Sequence, residues 1–234
     1  MVNTAQHHVH RVLNKFLLDA TRDRKDLLAL QALAPLANGF LPWSQAAMRP
    51  SGLLAVLNDI VINRRTCIVE CGGGISTFFI ARLLRDRPGH LYSIEHDADW
   101  AALLQHNLNA EGLGAQATVI HAPLAPTPLG WRGLPGAWYA GDKLCGLKRD
   151  CKIDLLIVDG PPAYTKDLRY ARYPAVPYFK DALAPDYTVV LDDINRRGEQ
   201  EIAVRWGREL GVPFSLRFID GTIAVGRPRH SFSV

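Results

Sequence analysis

The sequence contains few cysteines, and their spacing argues against a zinc ribbon. The four cysteines are Cys67, Cys71, Cys145 and Cys151, and no two of them form a C-x-x-C pair. A zinc ribbon needs such pairs. We therefore expect free thiols, with pairing or metal binding by Cys145 and Cys151 as the less favoured alternative. Cys67 and Cys71 flank an apolar segment, where a reduced cysteine acts as a small hydrophobic residue.

Long apolar runs and blocks of like charge are also missing. No run approaches the roughly 20 apolar residues of a membrane span, and the first residues, MVNTAQHHVH, lack the apolar core of a secretory signal. The net charge is only +4, and the basic residues are scattered rather than grouped. This distribution does not favour a nucleic-acid partner. We expect a cytoplasmic protein without a membrane or nucleic-acid partner.

The composition and length suit one sizeable domain with a short extension. Hydrophobic residues make up 48% of the 234 residues and charged residues 21%, which is ordinary for a globular protein. Apolar residues recur at helical spacing over 9–20 and 26–36, before a region rich in proline and glycine. We predict an N-terminal helical extension over residues 1–45 and a binding domain over residues 46–234.

Strands and helices alternate through the second part of the chain. After a helix over 45–63, the predicted strands are 66–71, 90–96, 117–122, 152–160 and 187–193, and the predicted helices are 76–86, 99–110, 173–183 and 197–210. Such alternation predicts an α/β fold with a doubly wound parallel sheet. The last two strands, 214–220 and 222–226, are separated by Gly221 alone and must therefore pair antiparallel.

One segment interrupts this alternation. Residues 123–152 contain five glycines and four prolines among apolar and aromatic residues. Glycine and proline end regular elements and favour turns. We interpret the segment as an insertion, with a small hairpin around Ala137–Tyr139 and a loop that carries Cys145 and Cys151.

A glycine turn follows the first strand. The segment reads Val-Glu-Cys-Gly-Gly-Gly-Ile-Ser-Thr over residues 69–77. Glycines let the backbone approach a ligand closely, and the start of the next helix offers free N–H groups. We predict that this turn binds a cofactor, and that Ser76 or Thr77 caps the helix. The residues predicted to bind the cofactor here are Glu70, Gly72, Gly73, Gly74, Ser76 and Thr77.

The E-x-G-x-G pattern, the order of elements and the terminal hairpin together resemble class I methyltransferases over residues 60–227. The resemblance implies a Rossmann-like fold that binds S-adenosyl-L-methionine (SAM). A dinucleotide site is the alternative, because it too has a glycine turn after its first strand. Thr77 stands where the third glycine of a dinucleotide site belongs, and Glu70 precedes the turn where such sites continue apolar. Both differences favour SAM.

Further candidates for cofactor contacts follow neighbouring strands. Glu95 ends the second predicted strand, where its carboxylate could accept hydrogen bonds from ribose hydroxyls. His96 follows it, and His121 ends the third strand, where it would border the adenine. Asp159 ends the fourth strand in the segment VDGPP, at the position that faces both cofactor and acceptor in class I methyltransferases. Ligands of open α/β sheets bind at such strand ends.

Carboxylates also end the fifth strand. Because adjacent parallel strands end at the same edge, Asp192 and Asp193 should lie near Asp159. This arrangement resembles metal-dependent sugar and catechol O-methyltransferases, which implies Mg²⁺ bound by these three acids. Without a metal, Asp159 alone would be the general base. The alternative is that Asp193 or Asn195 caps the next helix and Asp192 only accepts backbone hydrogen bonds.

The segment after VDGPP is rich in tyrosine and arginine. Its closest resemblance is to bacterial methyltransferase-like proteins that carry VDGPP, R-Y-P and a pair of aspartates. Tyr164, Arg169 and Arg172 are candidates for binding an anionic or glycosyl acceptor, or they are ordinary surface residues.

The predicted function is SAM-dependent methylation of a small acceptor, and oxygen is the favoured atom. Two other functions stay open: an NAD(P)-dependent oxidoreductase and a non-catalytic binding protein of the same fold. The N-terminal helices would form a lid over the site or a contact between two copies in a homodimer.

Overall fold

A computed structural model describes residues 2–39, 41–228 and 232. Its main sheet has seven strands, and a separate hairpin has two. The strands are β1 (Cys67–Cys71), β2 (His90–Glu95), β3 (Ala117–His121), β4 (Leu124–Thr127), β5 (Gly136–Tyr139), β6 (Ile153–Val158), β7 (Leu183–Leu191), β8 (Phe214–Arg217) and β9 (Ile223–Gly226). The helices are α1 (Val2–Leu33), α2 (Pro50–Ile62), α3 (Ile75–Leu83), α4 (Ala98–Ala110), α5 (Gly141–Asp150), α6 (Ala175–Phe179) and α7 (Arg197–Leu210).

The sheet has the order β3-β2-β1-β6-β7-β9-β8. Strands β3, β2, β1, β6 and β7 are parallel, whereas β9 pairs antiparallel with both β7 and β8. The doubly wound fold and the antiparallel terminal hairpin predicted from the sequence are therefore confirmed. The order in which successive strands are added to the sheet reverses between β1 and β6, and open α/β sheets bind ligands at such a point, beside the carboxyl ends of the strands.

Two hydrophobic cores cover the faces of the sheet. In β1, Val69 and Cys71 join the core under α5, α6 and α7, while Ile68 joins the core under α2, α3 and α4. This alternation follows from the two-residue period of a strand. Glu70 points to the same face as Ile68 and is fully buried. A buried carboxylate in a central strand needs polar partners, and α3 supplies two of them.

The N-terminal region is one helix rather than two. The sequence predicted separate helices over 9–20 and 26–36, but α1 continues without a break to Leu33. The residues between the two predicted helices contain neither glycine nor proline, so nothing there ends the helix. Pro35 follows within a short 3₁₀ turn. Asp26 on α1 accepts hydrogen bonds from the amide and hydroxyl groups of Ser51 at the start of α2. A boundary at residue 45 stays a prediction.

The insertion contains more regular structure than its composition indicated. The predicted hairpin is present, with β4 and β5 paired so that Leu124 faces Tyr139. The predicted loop around Cys145 is instead the helix α5. Its buried residues Leu144 and Leu147 are three positions apart and therefore share one face. The two glycines of α5 lower its helix propensity, and burial of this face overrides them. Among the described helices, even the 32-residue α1 lacks an apolar stretch that could span a bilayer.

Candidate functional site

The glycine turn passes close to the loop that follows β6. Gly72 has a φ of +90°, which residues with a side chain rarely adopt. A Cβ at Gly72 would lie 2.8 Å from the backbone nitrogen of Gly160. The amides of Asp159 and Gly160 both donate to the carbonyl of Cys71, at 2.9 and 2.6 Å. This contact brings the cofactor turn and the VDGPP segment together at one edge of the sheet.

Glu70 supports the turn from inside the protein. It is fully buried and accepts hydrogen bonds from the hydroxyls of Ser76 at 2.5 Å, Thr77 at 2.6 Å and Ser93 at 2.8 Å. Burial raises the pKa of Glu70 from its ordinary value, although the three hydroxyls act to lower it. Because its oxygens are engaged in this way, Glu70 holds the start of α3 against β1 and β2 and does not line the cavities described below.

The prediction that Ser76 or Thr77 caps α3 is wrong. Gly74 is the N-cap residue, and Thr77 occupies the third helical position. The Thr77 hydroxyl oxygen accepts a hydrogen bond from the Gly74 amide at 3.0 Å. The helix begins at Ile75, two residues earlier than a cap at Ser76 would require, and the hydroxyls of both residues donate to Glu70. Ser76 still lines the first cavity.

Two adjoining cavities open at this edge of the sheet. The first, about 310 Å³, lies between the glycine turn and residues 41–48, and the second, about 300 Å³, extends towards the VDGPP loop. Both are lined by Gly72, Gly73, Trp100 and Asp159. A Cβ at Gly74 would meet no atom within 4 Å, so the turn leaves open space on its cavity side. Together the cavities have the size of a small-molecule site.

Glu95 reaches the second cavity, as the sequence predicted. One of its carboxylate oxygens accepts a hydrogen bond from the Gly73 amide at 3.2 Å. The other accepts from the amides of His96 and Asp97 at 2.6 and 3.0 Å. His96 and Asp97 line the same cavity. His121 is exposed on the neighbouring strand and lines neither cavity.

Two aromatic residues of the site were missed from the sequence. Trp100 lines both cavities, and its indole N–H donates to the Gly73 carbonyl at 2.9 Å. Its place in the first turn of the helix after Glu95 was a usable signal. Tyr139 comes from the insertion and lines the second cavity. It is only 3% exposed, and within the described residues its hydroxyl has no hydrogen-bond partner. Burial raises the pKa of Tyr139 well above its ordinary value.

The three predicted acids do meet. One carboxylate oxygen each from Asp159, Asp192 and Asp193 lies within 4.8 Å of the other two. Burial raises the pKa of Asp159 well above its ordinary value, and the neighbouring Asp192 raises it further. Burial, with help from Asp193, raises the pKa of Asp192 to about 7. Only Asp159 lines the cavities, so Asp192 and Asp193 stand behind it.

Arg172 lies among these acids. The sequence offered it as an acceptor-binding or surface residue, but it is 2% exposed. Its guanidinium contacts Asp159 Oδ1 at 3.1 Å and Asp193 Oδ2 at 3.0 Å. It also donates to the backbone carbonyls of Pro161 and Asp192, both at 3.3 Å. A guanidinium is the cation best suited to such a set of oxygens, so burial here is explained by pairing with the acids.

The other two candidates for acceptor binding lie nearer the surface. Tyr164 is 66% exposed and lines the second cavity, with the guanidinium of Arg196 5.4 Å from its ring centre. Arg169 makes a salt bridge of 2.9 Å with Glu201 on α7 and lines neither cavity. The structure therefore brings Tyr164 to the site and leaves Arg169 outside it.

Comparison with known proteins identifies the family of this chain. Residues 69–194, more than half of the chain, match the family model described as a methyltransferase domain, and the chain belongs to this family. The fold and site thus define a class I methyltransferase, as predicted from the sequence. No curated protein matches the chain closely enough to serve as a relative.

Several solved structures share the fold at low sequence identity. An O-methyltransferase from Bacillus cereus in complex with SAH has 18% identity and a TM-score of 0.51, covering 88% of this chain and 91% of that one. The SAH-bound methyltransferase PaMTH1 of Podospora anserina has 12% identity and a TM-score of 0.54, covering 88% and 87%. The O-methyltransferase TomG of Streptomyces achromogenes, in complex with SAM, has 19% identity and a TM-score of 0.51, covering 87% and 88%.

Proposed function

We propose that this protein is a SAM-dependent methyltransferase that methylates an oxygen atom of a small acceptor. The observation that carries the proposal is the meeting of the Gly72–Gly74 turn, Glu95 and Asp159 around two joined cavities. The turn and Glu95 suit a cofactor with a ribose, and Asp159 suits a proton acceptor beside it. Three proteins of the same fold are bound to SAM or SAH, and this supports the proposal.

The cofactor would lie along the glycine turn. Glu95 would accept hydrogen bonds from the ribose hydroxyls of the cofactor, and the open space at Gly74 leaves room for the amino-acid part of the cofactor. Trp100 would cover it from the side of α4, and residues 41–48 from the opposite side. When bound, SAM supplies a methyl group on a sulfonium, which is a good leaving group. The domain that holds it would span residues 46–234.

The acceptor would enter the second cavity. Asp159 has one oxygen engaged by Arg172, and its Oδ2 accepts no hydrogen bond from the described residues. Asp159 Oδ2 would take the proton of the acceptor hydroxyl while the hydroxyl oxygen of the acceptor gains the methyl group. Burial raises the pKa of Asp159, and the Arg172 guanidinium opposes this rise and so favours the ionised carboxylate that can accept the proton. The Tyr139 hydroxyl, which has no hydrogen-bond partner in the described part of the chain, would bind the acceptor. Tyr164 would contact the acceptor at the entrance of the cavity.

We further propose a cytoplasmic protein whose partner is a small molecule rather than nucleic acid. A homodimer through α1 belongs to the same proposal. Phe16, Leu17, Leu27 and Leu28 on this helix are 68%, 53%, 66% and 55% exposed. Their apolar side chains would be covered if two copies met along α1.

Calorimetric titration with SAM, S-adenosylhomocysteine and NADH tests the proposal. We expect micromolar binding of the two adenosyl ligands and none of NADH. Glu95→Ala should lose at least about tenfold in affinity, because the variant lacks the hydrogen-bond acceptor. Asp86→Ala is the matched control, since Asp86 is an exposed acid that lines neither cavity. Binding of NADH instead, or equal affinities for the wild type and Glu95→Ala, would contradict the proposal.

A further inference from the structure

The acid cluster resembles a magnesium site in its side chains but not in its charge. Asp159, Asp192 and Asp193 are close enough together to hold one metal ion. Carboxylates are suitable ligands for Mg²⁺. Two of the three, however, already contact the Arg172 guanidinium at 3.0 to 3.1 Å. A divalent ion bound by these carboxylates would therefore lie beside a buried positive charge.

Arg172 cannot leave the cluster easily, because contacts on several sides hold it. The carbonyl of Pro161 accepts from its Nε, and the carbonyl of Asp192 accepts from one terminal nitrogen. Only 3% of its side chain is exposed. Arg172 also lies in the same loop that carries Asp159 to the cavity. Moving the guanidinium aside would leave buried carbonyl and carboxylate oxygens without a donor, which is costly.

A second arginine adds positive charge at the same place. Arg196 contacts Asp193 Oδ2 at 2.6 Å and Glu199 at 3.4 Å. Asp193 Oδ2 is therefore bound by two guanidinium groups at once. Asp192 has a buried Oδ1 without a hydrogen-bond partner among the described residues. Asp192 Oδ1 and Asp159 Oδ2 both lack a donor among the described residues, but the positive charge of two arginines beside them opposes the binding of a divalent ion.

We propose that the Arg172 guanidinium is the permanent cation of this site, in the place that metal-dependent O-methyltransferases give to Mg²⁺, and that this protein binds no divalent metal there. Arg172 is a positioning residue. By engaging Asp159 Oδ1 it fixes the carboxylate so that Oδ2 faces the cavity. This second role rests on the proposed function, whereas the absence of metal binding does not.

Mn²⁺ titration followed by electron paramagnetic resonance tests the proposal directly. We expect the wild type and Arg172→Lys to bind no stoichiometric Mn²⁺, because both keep a cation among the acids. Arg172→Ala should bind one Mn²⁺ per chain, at least about tenfold more tightly than the wild type. This gain should disappear in the double variant Arg172→Ala/Asp192→Asn. A purely structural arginine would produce no new metal site when removed.

The Mn²⁺ titration of the wild type is by itself sufficient to overturn the proposal. One tightly bound Mn²⁺ per chain that is lost in Asp192→Asn would show that the acids hold a metal despite Arg172. This measurement remains decisive if Arg172→Ala does not fold. SAM affinity is measured in parallel with EDTA and with Mg²⁺, and equal values are expected. Absence of SAM binding both with EDTA and with Mg²⁺ would contradict the proposed function. The Mn²⁺ titration would still show whether the acids bind a divalent metal.

Discussion

The two halves of the candidate site handle buried negative charge in different ways. On the cofactor side, Glu70 is surrounded by three neutral hydroxyls from residues close to the glycine turn. On the acceptor side, Asp159 faces Arg172, an arginine held by both loops that leave β6 and β7. Hydroxyls can satisfy a carboxyl in either protonation state, whereas an ion pair requires charge on both partners. The acceptor half should therefore be far more sensitive to the loss of one side chain.

The largest effect should come from removing Arg172. Arg172→Ala leaves Asp159 and Asp193 without this buried counter-ion, and it should lower the free energy of unfolding by about 3–5 kcal/mol. Urea denaturation followed by circular dichroism measures this change. Arg169→Ala is the matched control, because the side chains of its salt bridge with Glu201 are 38% and 33% exposed. It should cost less than about 1 kcal/mol. Similar losses of stability in the two variants would show that burial does not make Arg172 more important for stability than Arg169.

A second prediction concerns the contact that joins the two halves. Gly72→Ala forces a side chain into a left-handed conformation and against the backbone of Gly160. It should cost roughly 2–3 kcal/mol of stability and lower SAM affinity at least about tenfold. Urea denaturation and calorimetry measure the two effects.

Gly112→Ala separates the two causes. Gly112 also has a positive φ, +70°, but a Cβ there meets nothing within 4 Å. This variant should therefore show only the conformational cost, about 1 kcal/mol, and unchanged SAM affinity. If Gly72→Ala binds SAM as tightly as Gly112→Ala does, SAM binding does not depend on the close contact between the backbones of Gly72 and Gly160.

The same contrast explains how much the sequence could predict. Most of the cofactor half is built from adjacent residues of one strand, turn and helix, so the glycine turn was recognisable from local pattern. Glu95 was recognisable from its place at the end of the next strand. The meeting of the three acids followed from the rule that parallel strands end at one edge. The parallel part of the sheet and its terminal hairpin followed from alternation and from the short turn at Gly221.

The features that the sequence analysis missed depend on packing between distant segments. Arg172 was interpreted as an acceptor-binding or a surface residue, and its pairing with Asp193 was missed because it is set by how two loops pack, not by spacing. Tyr139 belongs to the insertion, and only the placement of the β4–β5 hairpin brings it to the cavity. α5 was missed because two glycines weaken its pattern, although burial of one face stabilises it.

The pH dependence of stability should reveal the neutral environment of Glu70. Its pKa is raised in the folded protein, so the folded state binds more protons than the unfolded state above pH 4.5. The contribution of Glu70 to the free energy of unfolding should therefore fall as pH rises from 4.5 through the folded pKa, by about 1.4 kcal/mol for each unit of pKa difference. Urea denaturation of the wild type and Glu70→Gln between pH 4.5 and 8 measures it.

Glu70→Gln cannot ionise, so it should gain stability relative to the wild type as pH rises over this window. Asp86→Asn, which changes an exposed acid, should run parallel to the wild type. A difference between Glu70→Gln and the wild type that stays constant with pH would show that Glu70 titrates as it does in the unfolded chain.

The smallest effect concerns the hydroxyl that we assign to the acceptor. The Tyr139 hydroxyl is buried without a partner among the described residues. On folding it therefore loses its hydrogen bonds to water and gains none from these residues. Tyr139→Phe should leave stability unchanged or raise it by up to about 1 kcal/mol. Tyr173→Phe is the matched control, because the Tyr173 hydroxyl donates to Glu209 at 2.6 Å. It should lose about 1 kcal/mol. A clear loss of stability in Tyr139→Phe would mean that the hydroxyl is already satisfied in the free protein, and that it is not held ready for an acceptor.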